Sequence, residues 1–451
     1  MMNNSLRQGA RTAFFAVAFL SLLPASLLAG ETSSPSDPKA SVAAQGANAP
    51  KSIWERDTLT GDWGGSRPKL ADKGVTITPS LVGENFGNIG GGIRQGDIAN
   101  GLVTVALDVD TAKLTGWENG GTFHTNFLYA FGPGLRGDTR NVGDIAVLSN
   151  ISAYNTPRMQ ECWYDQPFWD KKADFKIGWI AADTEFWTSS SAALFINSDF
   201  GTLPIISANN PYNPPIYPIA APGVRFRVQP VATVYFQTGL FSGNPGSPVQ
   251  NRNGLDFRIS GKTGVFNINE VGYLLNQAPD DKGLPGTYKL GAFVHTGIFQ
   301  TWASQADGGI LNEQGPDFGL YAVADQQVWK QDVRIVSVFA RGGYAPSDIN
   351  QVNPYVDTGF NLTGFVPCRE NDVAGVAFAR SFISGSYSAF NQTVNGAPNT
   401  MTAETVIEAT YKFQLTPWWS LQPDFQFIFS PSGVDGSRDA TVLGVRTSVV
   451  F

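Results

Sequence analysis

From about residue 75 onward, the chain repeats short stretches in which apolar and polar residues alternate, bounded by Gly, Pro, Asn and Asp. In residues 102–110, Val103, Val105 and Leu107 fall on one side of an extended chain, and Thr, Ala and Asp fall on the other. The same alternation occurs in residues 223–229, 255–260, 407–413 and 421–429. A period of two indicates β-strands with two chemically different faces, so the pattern predicts an all-β protein of many strands.

Two architectures fit such strands. In a soluble β-sandwich the apolar faces share a core, whereas in a transmembrane β-barrel they face lipid and the polar faces line a wet lumen. Only 15% of the residues are charged, against about 25% in typical soluble domains. Aromatic residues make up 12%, and a barrel can place these in its lipid-facing surface and interfacial girdles. The composition therefore favours the barrel.

The first thirty residues have the three parts of a secretory signal peptide. Arg7 and Arg11 are positive, residues 12–28 are almost entirely apolar, and Ala29–Gly30 supplies small residues for cleavage. An uncleaved anchor helix is the alternative, but the apolar stretch is short for a membrane span. We expect residues 1–30 to be a cleaved signal peptide, with the cleavage position open. Residues 31–53, rich in Ser, Ala and Pro, should form a disordered periplasmic leader.

The other end of the chain resembles a closing strand. Leu443, Val445, Thr447, Val449 and Phe451 share one face of an alternating segment that ends on an aromatic residue. After a signal peptide, this pattern is typical of bacterial outer-membrane barrels, and we expect the assembly machinery to recognise it and Phe451 to face lipid.

Residues 54–451 are accordingly predicted to form a transmembrane antiparallel β-barrel in the outer membrane. No internal segment has the roughly 20 apolar residues of a spanning helix. Sixteen strands would leave about 26 residues per strand and connection, and eighteen about 23. We favour sixteen.

Nothing in the sequence indicates catalysis. His124 and His295 lie far apart and lack neighbours at metal-ligand spacing. The chain contains neither a G-x-S-x-G nor an H-E-x-x-H motif. Asp108 and Asp110 lack the Gly and distal Glu of a calcium loop, so we interpret Asp108 as lumen lining. We therefore expect no enzyme and no metal.

Two further features limit the possible partners and bonds. The net charge is −7 and no basic run is present, which argues against a nucleic-acid partner. Cys162 and Cys368 are the only cysteines. Export would permit a disulfide between them, but the sequence leaves that pairing open.

A proline-rich segment, residues 209–222, cannot be a strand interior because proline donates no ladder hydrogen bond. We predict a structured loop folded into the barrel mouth, with a mobile outer loop as the alternative. Arg225 and Arg227 follow this segment and should point inward, since charges facing lipid cost several kcal/mol near the midplane. The other charged or aromatic residues near it are Arg158, Glu161, Asp183, Glu185 and Trp187.

Arginines, carboxylates and an aromatic ring together suit a narrow passage for a neutral polyhydroxylated solute. The charged groups would replace the hydrogen bonds that the solute loses to water, and the ring of Trp187 would cover the apolar face of a sugar. A general water-filled pore lined by the same charges fits the spacing equally well.

Several longer motifs resemble one known family. They are GDWGGSR at residues 61–67, LADKGV at 70–75, AADTEF at 181–186, ALFINSDFG at 193–201, YPIAAPGVR at 217–225, LPGTYKLG at 284–291 and HTG at 295–297. In these segments, and over residues 54–451, the chain is similar to the carbohydrate-selective porins of the OprB type. The resemblance implies a sixteen-stranded channel that passes small sugars by diffusion, with inward loops, a charged constriction, no catalysis and no cofactor.

Carried onto this chain, the resemblance gives a set of constriction residues. They are Asp183, Glu185, Arg225 and Arg227, together with Arg94, Asp108 and Glu161. The expected partners are small sugars, outer-membrane lipid and the assembly machinery. A porin for other solutes, or a barrel that carries an outer-membrane enzyme, are the alternatives. The sugar and the choice between monomer and trimer remain open.

Overall fold

The computed structural model describes residues 52–209, 214–246, 249, 251–257, 263–278 and 280–451. Within these ranges the chain forms sixteen strands, and every neighbouring pair is antiparallel. Each strand pairs with its neighbours in sequence, and the first also pairs with the last, so the sheet closes on itself. The predicted sixteen-stranded antiparallel barrel is confirmed. The proposed signal peptide, residues 1–30, and residues 31–51 of the leader lie outside the described residues.

The strands are β1 (Val75–Gly90), β2 (Gly96–Asp110), β3 (Thr122–Phe131), β4 (Thr156–Phe168), β5 (Ala173–Ile180), β6 (Ala221–Val231), β7 (Val234–Ser242), β8 (Val265–Leu275), β9 (Gly286–Gln300), β10 (Gln314–Gln331), β11 (Arg334–Tyr344), β12 (Val352–Thr363), β13 (Val373–Ile383), β14 (Ala403–Thr416), β15 (Trp419–Phe429) and β16 (Ala440–Val450). The α-helices are α1 (Ser66–Asp72), α2 (Thr111–Thr115), α3 (Leu135–Asn141), α4 (Pro204–Ser207), α5 (Trp302–Ala306) and α6 (Gly385–Val394). Short 3₁₀ turns occupy Ala182–Thr184, Ala192–Leu194, Ser198–Phe200 and Pro431–Gly433. In the described part of the chain, no helix is long and apolar enough to cross a membrane.

The connections differ at the two ends of the barrel. At one end they are short, with only residues 232–233 between β6 and β7 and residues 332–333 between β10 and β11. At the other end they are longer, and the longest are residues 132–155 and 181–220. In outer-membrane barrels the short turns are periplasmic and the long loops extracellular. We therefore call these ends the turn end and the loop end.

Side chains alternate between lipid and lumen along each strand, as the sequence predicts. On β2, Val105 points outward and is 41% exposed, whereas Ala106 points inward and is 1% exposed. On β16, Leu443 and Val445 also point outward and are exposed. An outward apolar side chain gains stability from lipid contact rather than from a protein core, so these exposures are expected in a barrel.

The last residue departs from the prediction. Phe451 follows the end of β16 and is buried, not exposed to lipid. The reason is that the segment before β1 covers this chain end. The Leu59 backbone N–H donates to the Val450 carbonyl at 2.7 Å, and the Arg67 guanidinium donates to the Phe451 carbonyl at 2.5 Å.

Two smaller points are also decided by the structure. Leu255–Phe257 form no strand, so the strand expected at residues 255–260 is wrong in its described part, and residues 258–260 lie outside the described ranges. Cys162, on β4, and Cys368, between β12 and β13, are both free thiols.

Candidate functional site

The loop between β5 and β6, residues 181–220, folds into the barrel, and we call it the inner loop. Its buried apolar residues are Ala181, Ala182, Phe186, Trp187, Ala192, Phe195, Ile196, Phe200, Leu203, Ile205, Ile206, Ile219 and Ala220. They pack against inward rings of the wall, for example Phe186 against Phe241 and Phe195 against Phe339. The predicted inward loop is thus confirmed in its described residues, and Pro211 lies outside them.

Four carboxylates of the wall hold this loop, and we call them the anchoring carboxylates. They are Glu161 on β4, Glu270 on β8, Asp325 on β10 and Glu408 on β14. Each accepts a backbone N–H of the inner loop, from residues 181, 187, 191 and 196 in that order, at 2.6 to 3.1 Å. A loop inside a barrel lacks ladder partners for its backbone, and buried N–H groups need acceptors. The anchoring carboxylates supply them.

Asp183 belongs to the inner loop and serves its folding. One carboxylate oxygen accepts the Tyr217 backbone N–H at 2.9 Å, and the other is buried without a hydrogen-bond partner in the described residues. Burial raises the pKa of Asp183 to about 7, the Tyr217 N–H opposes that rise, and the nearby Glu161 adds to it. Asp183 therefore joins two parts of the loop and does not meet the arginines of β6.

The inward faces of β4, β5 and β6, together with Glu185 of the inner loop, carry a charged cluster that we call the polar patch. Its members are Asp165, Asp174, Lys176, Glu185, Arg225 and Arg227. The strand register creates it, because Asp165 lies opposite Lys176, Lys176 opposite Arg225, and Asp174 opposite Arg227. Opposite charges directly across an antiparallel pair attract each other, as in the pairs Asp165–Lys176 and Asp174–Arg227. The like-charged pair, Lys176 and Arg225, is bridged by Glu185, which contacts both cations.

Arg225 is the centre of the polar patch. Its guanidinium lies 3.0 Å from Glu185 and 3.3 Å from Asp165, and it also contacts Asp174. The Lys176 ammonium lies 2.5 Å from the second Glu185 oxygen. The Asp165 and Asp174 side chains remain 23% and 26% exposed, although they face the lumen. Each side chain is therefore partly open to the lumen, although one carboxylate oxygen of each is buried.

An aromatic ring lies beside the polar patch, but it is Trp163 rather than Trp187. The Lys176 ammonium lies 3.7 Å from the centre of the Trp163 ring, and His124 stacks on that ring at 4.7 Å. A cation over an aromatic face is stabilised by the ring quadrupole, so Trp163 positions Lys176. His124 in turn contacts Asp108 at 2.7 Å, which connects Asp108 to the polar patch.

Trp187 has no access to the lumen. Its side chain is 1% exposed and packs edge-on against Tyr321 of the wall. The prediction that its ring covers a passing sugar is wrong, because the inner loop turns this ring toward the wall to bury it. Glu161 is likewise buried and used as an anchoring carboxylate.

The two remaining candidates have different surroundings. Arg227 is stacked over the Tyr235 ring at 4.1 Å, and in the described chain it has no carboxylate within 4 Å. Arg94 is exposed in the short loop after β1 and donates to Asn141 at 2.9 Å. The structure thus brings Glu185, Arg225 and Arg227 together and places Arg94 at the loop end, away from them.

Sequence reasoning missed Asp165, Asp174, Lys176 and Trp163. A signal was present in residues 173–180, where Asp174 and Lys176 alternate with Phe175 and Ile177. β5 directly precedes the inner loop and pairs with β6. The polar side chains of β5 therefore had to lie beside Arg225. Among the described residues, no group of three or more His, Cys, Asp or Glu side chains could hold a metal ion.

Known proteins resemble this chain over most of its length. The family described as "Carbohydrate-selective porin, OprB family" matches residues 94–451. Porin B of Pseudomonas aeruginosa is 26% identical over 436 residues, which cover 90% of this chain and 93% of that protein. A putative porin, QuiX, of Acinetobacter baylyi is 23% identical over 430 residues, covering 88% and 94%. The high-pH structure of Pseudomonas putida OprB superposes with a TM-score of 0.80 at 25% identity, covering 89% of this chain and all of that one.

Proposed function

Since the chain belongs to the OprB family of carbohydrate-selective porins, we propose that its polar patch is the place where sugars are selected. The protein is an outer-membrane porin that admits carbohydrates by passive diffusion, and it is a channel rather than an enzyme. The assignment of sugar selection to the polar patch goes beyond what membership of the family shows. The observation that carries it is Arg225, shared by three carboxylates on the lumen side of the wall.

Charge balance supports a neutral solute. The polar patch holds three cations, Lys176, Arg225 and Arg227, and three carboxylates, Asp165, Asp174 and Glu185. A passage lined by equal numbers of both signs attracts neither small cations nor small anions strongly. A large uncompensated charge would instead favour ions of the opposite sign.

Hydrogen-bond chemistry supports a polyhydroxylated solute. A sugar hydroxyl both donates and accepts, and it must give up water on entering a narrow passage. In the polar patch, guanidinium donors and carboxylate acceptors lie side by side and are held by one another. Bonds to ionised groups are about twice as strong as neutral ones. A sugar can therefore exchange water for these groups without either partner reorganising.

The inner loop determines the space in front of the polar patch. Glu185 is part of this loop, yet its carboxylate pairs with Lys176 and Arg225 on the wall. The inner loop and the polar patch are therefore joined at one residue. Anchoring of the loop elsewhere on the wall keeps Glu185 in place.

Liposome swelling tests this proposal. Wild-type protein should admit glucose faster than a neutral amino acid of similar size at equal osmolarity. Arg225→Gln should lose most of that preference, because the three carboxylates lose their shared donor and repel one another. The matched control is Arg380→Gln, since Arg380 lies on the outward face of β13 opposite Thr405. Unchanged solute preference in Arg225→Gln, with a folded barrel, would place selection elsewhere.

We also propose the predicted route to the membrane: removal of residues 1–30, a periplasmic leader at 31–53, and recognition of β16 by the assembly machinery. The pairing of β16 with β1, which closes the barrel, supports a decisive role for the last strand. Amino-terminal sequencing of the mature protein tests the first part, and a start far from residue 31 would contradict it. Removal of Phe451 should lower the yield of folded barrel in the outer membrane.

A further inference from the structure

Part of the connection between β7 and β8, at the loop end, lies against the outer wall of the barrel. Residues 251–257 of this connection, which we call the outer segment, lie along β4. Strand β5 pairs with β4 only as far as Cys162, so residues 156–161 of β4 have a free edge on that side. Across this edge the Met159 backbone N–H donates to the Asn253 carbonyl at 3.0 Å. The outer segment therefore covers a strand edge that β5 leaves open.

The close approach of the outer segment to β4 depends on Gly254. This residue has a φ of +70°, and a Cβ at this position would collide with the Met159 carbonyl oxygen. Asn251 closes the turn, because its side chain accepts the Asp256 backbone N–H at 3.0 Å and donates to the Asp256 carbonyl at 3.2 Å. The outer segment is thus held in one conformation on the wall.

The outer segment covers one outward side chain and presents two others. Met159 lies opposite the outward Phe127 and is nevertheless buried, because the outer segment lies over it. Phe257 packs edge-on against Trp179 on the outward face of β5, with ring centres 4.7 Å apart. Leu255 and Phe257 are themselves 57% and 52% exposed. Apolar side chains placed on the outside of a membrane barrel gain stability from lipid tails.

The depth of this surface follows from the outward rings of β3. Phe127, Tyr129 and Phe131 are exposed and alternate with the buried Leu128 and Ala130. The rings of Tyr129 and Phe131 are 5.7 Å apart, and Phe131 is the last residue of β3 at the loop end. Outward aromatic rings near the end of a barrel mark a membrane interface. Because the loop end is extracellular, this interface belongs to the outer leaflet.

Exposed arginines lie on the rim of the barrel above this apolar surface. They are Arg136 and Arg140 on α3 and Arg252 in the outer segment, and we call them the rim arginines. Arg136 and Arg140 are one helical turn apart and share one side of α3. Among the described residues, no carboxylate lies within 4 Å of any of these guanidinium groups. Their positive charges are therefore not paired within the described chain.

The rim arginines belong to one sector of the rim. Helix α3 follows β3, and Gly134 at its start lies against the Ala153 carbonyl. Two residues further along, the Asn155 carbonyl accepts a hydrogen bond from the Arg252 guanidinium at 3.4 Å. Arg252 is thus near the top of β4, whereas Phe257 contacts β5 further from the rim. Cations above apolar side chains match the order of headgroup and tails in an anionic lipid.

We propose that this sector, formed by β3–β5, the outer segment and the rim arginines, binds lipid A, the phosphorylated and multiply acylated glycolipid of the outer leaflet. Guanidinium groups bind phosphate through paired hydrogen bonds, and a cluster of them favours an anionic headgroup. Leu255, Phe257 and the rings of β3 contact the acyl chains. A free phosphate ion would use the arginines but leave the apolar side chains uncovered, and a neutral lipid would do the reverse. Lipid A satisfies both parts of the surface.

The affinity for purified lipid A tests the role of the arginines. Mature wild-type protein in detergent should bind fluorescent lipid A at a saturable site, and neither inorganic phosphate nor phosphatidylglycerol should compete. The triple substitution Arg136→Gln, Arg140→Gln and Arg252→Gln should weaken binding at least about tenfold, as should removal of the phosphates from lipid A.

A single substitution provides the matched control for charge. Arg252→Gln alone should lower the affinity, whereas Arg380→Gln should not, because Arg380 is outward on β13 and its guanidinium is bonded to Thr405. Unchanged binding in the triple variant would overturn the proposal. Equal competition by phosphatidylglycerol would reduce the surface to a general lipid contact, and competition by inorganic phosphate would reduce it to an anion site. Either result would also overturn it.

The apolar part has its own matched pair of variants. Leu255→Gln should weaken lipid A binding several-fold, whereas Leu311→Gln should leave it unchanged. Leu311 lies in the connection between β9 and β10 at the same end and is similarly exposed, at 55%. Equal affinities in the two variants would contradict a contact between the outer segment and the acyl chains. Heat-dependent gel mobility verifies that each variant is folded. Sugar swelling should be unchanged in all of them, so this test is separate from the proposed role of the polar patch.

Discussion

Two sets of charged side chains share the inside of this barrel, and they have opposite roles. The anchoring carboxylates, such as Glu270 and Glu408, are buried, and their oxygens bond to the inner loop. The carboxylates of the polar patch pair with cations and keep some exposure, as Asp174 shows at 26%. Except for Glu185, which belongs to the inner loop, the members of both sets point inward from strands of the same sheet. What differs is whether backbone N–H groups or side-chain cations face them.

This difference decides which charges a solute can meet. A carboxylate whose oxygens are filled by buried N–H groups shapes the lumen but has nothing left to offer a sugar. A carboxylate paired with Arg225 at the edge of the lumen can accept a further hydrogen bond from a hydroxyl group. Inward direction alone therefore does not identify a selectivity residue, and accessible surface must be added to it.

The largest effect is expected at Glu270, which accepts hydrogen bonds from the Trp187 backbone, Tyr235, Gln237 and Tyr321. Glu270→Ala would leave four buried donors unpaired, each costing about 1–3 kcal/mol. The inner loop should leave the wall, and single-channel conductance in a planar bilayer should rise several-fold. Glu270→Gln keeps one acceptor oxygen, so its conductance should lie between those of the wild type and of the alanine variant. An unchanged conductance in the folded alanine variant would show that the loop does not depend on this anchor.

The second largest effect is expected at Trp187, whose substitution should affect stability, whereas substitution of Trp163 should affect sugar preference. Trp187→Ala removes a buried ring and should lower the free energy of unfolding by about 3–5 kcal/mol. Trp163→Ala should destabilise the barrel less, because that ring is only half-buried, but it should release Lys176 and alter sugar preference. The temperature of the gel-mobility shift measures the first effect and liposome swelling the second. The reverse order of stabilities would contradict the burial of Trp187.

A third effect depends on pH through Asp183. Its pKa is raised by burial from 3.8 to about 7, so the folded loop binds a proton more tightly than the unfolded chain. Stability from this group is therefore fully present below about pH 4 and is lost as the pH rises through 7. Open-channel noise should increase from pH 5 to pH 8 in the wild type. Asp183→Asn, which resembles the protonated form, should remove this dependence, and a persistent dependence would assign it to another group.

The smallest effect is expected at Arg94. This residue is exposed at the loop end and bonds to Asn141, away from the polar patch. Arg94→Ala should leave the ratio of glucose to amino-acid swelling unchanged and should alter the stability by less than about 0.5 kcal/mol. A lost sugar preference would instead extend the selecting region to the barrel mouth.

Much of the fold could be predicted because a barrel is built from local patterns. Alternating apolar and polar residues indicate each strand, and each strand pairs with its neighbour in sequence. The order of the strands therefore needs no long-range information. The inward direction of Arg225 and Arg227 follows from the cost of charge in lipid. The end of the chain was less predictable, because Phe451 is covered by a segment almost 400 residues earlier, near Arg67.

The site could be predicted only in part. Glu161, Asp183 and Glu185 look alike in the sequence, as acidic residues near the inner loop. Only Glu185 joins the polar patch, because the other two accept backbone N–H groups from residues 20 and 34 positions away. For a similar reason Trp163, rather than the expected Trp187, lies beside the polar patch. The path of the inner loop determines which ring is buried.

The sequence by itself determined an antiparallel barrel of many strands, its lipid-facing and lumen-facing sides, and a charged lumen, since these follow from a period of two and from the cost of burying charge. The structure settled the number of strands at sixteen. The tertiary structure decided which of the inward charges are hydrogen-bonded to the inner loop and which remain accessible in the polar patch. That choice depends on hydrogen bonds between residues far apart in the chain. No local pattern records them.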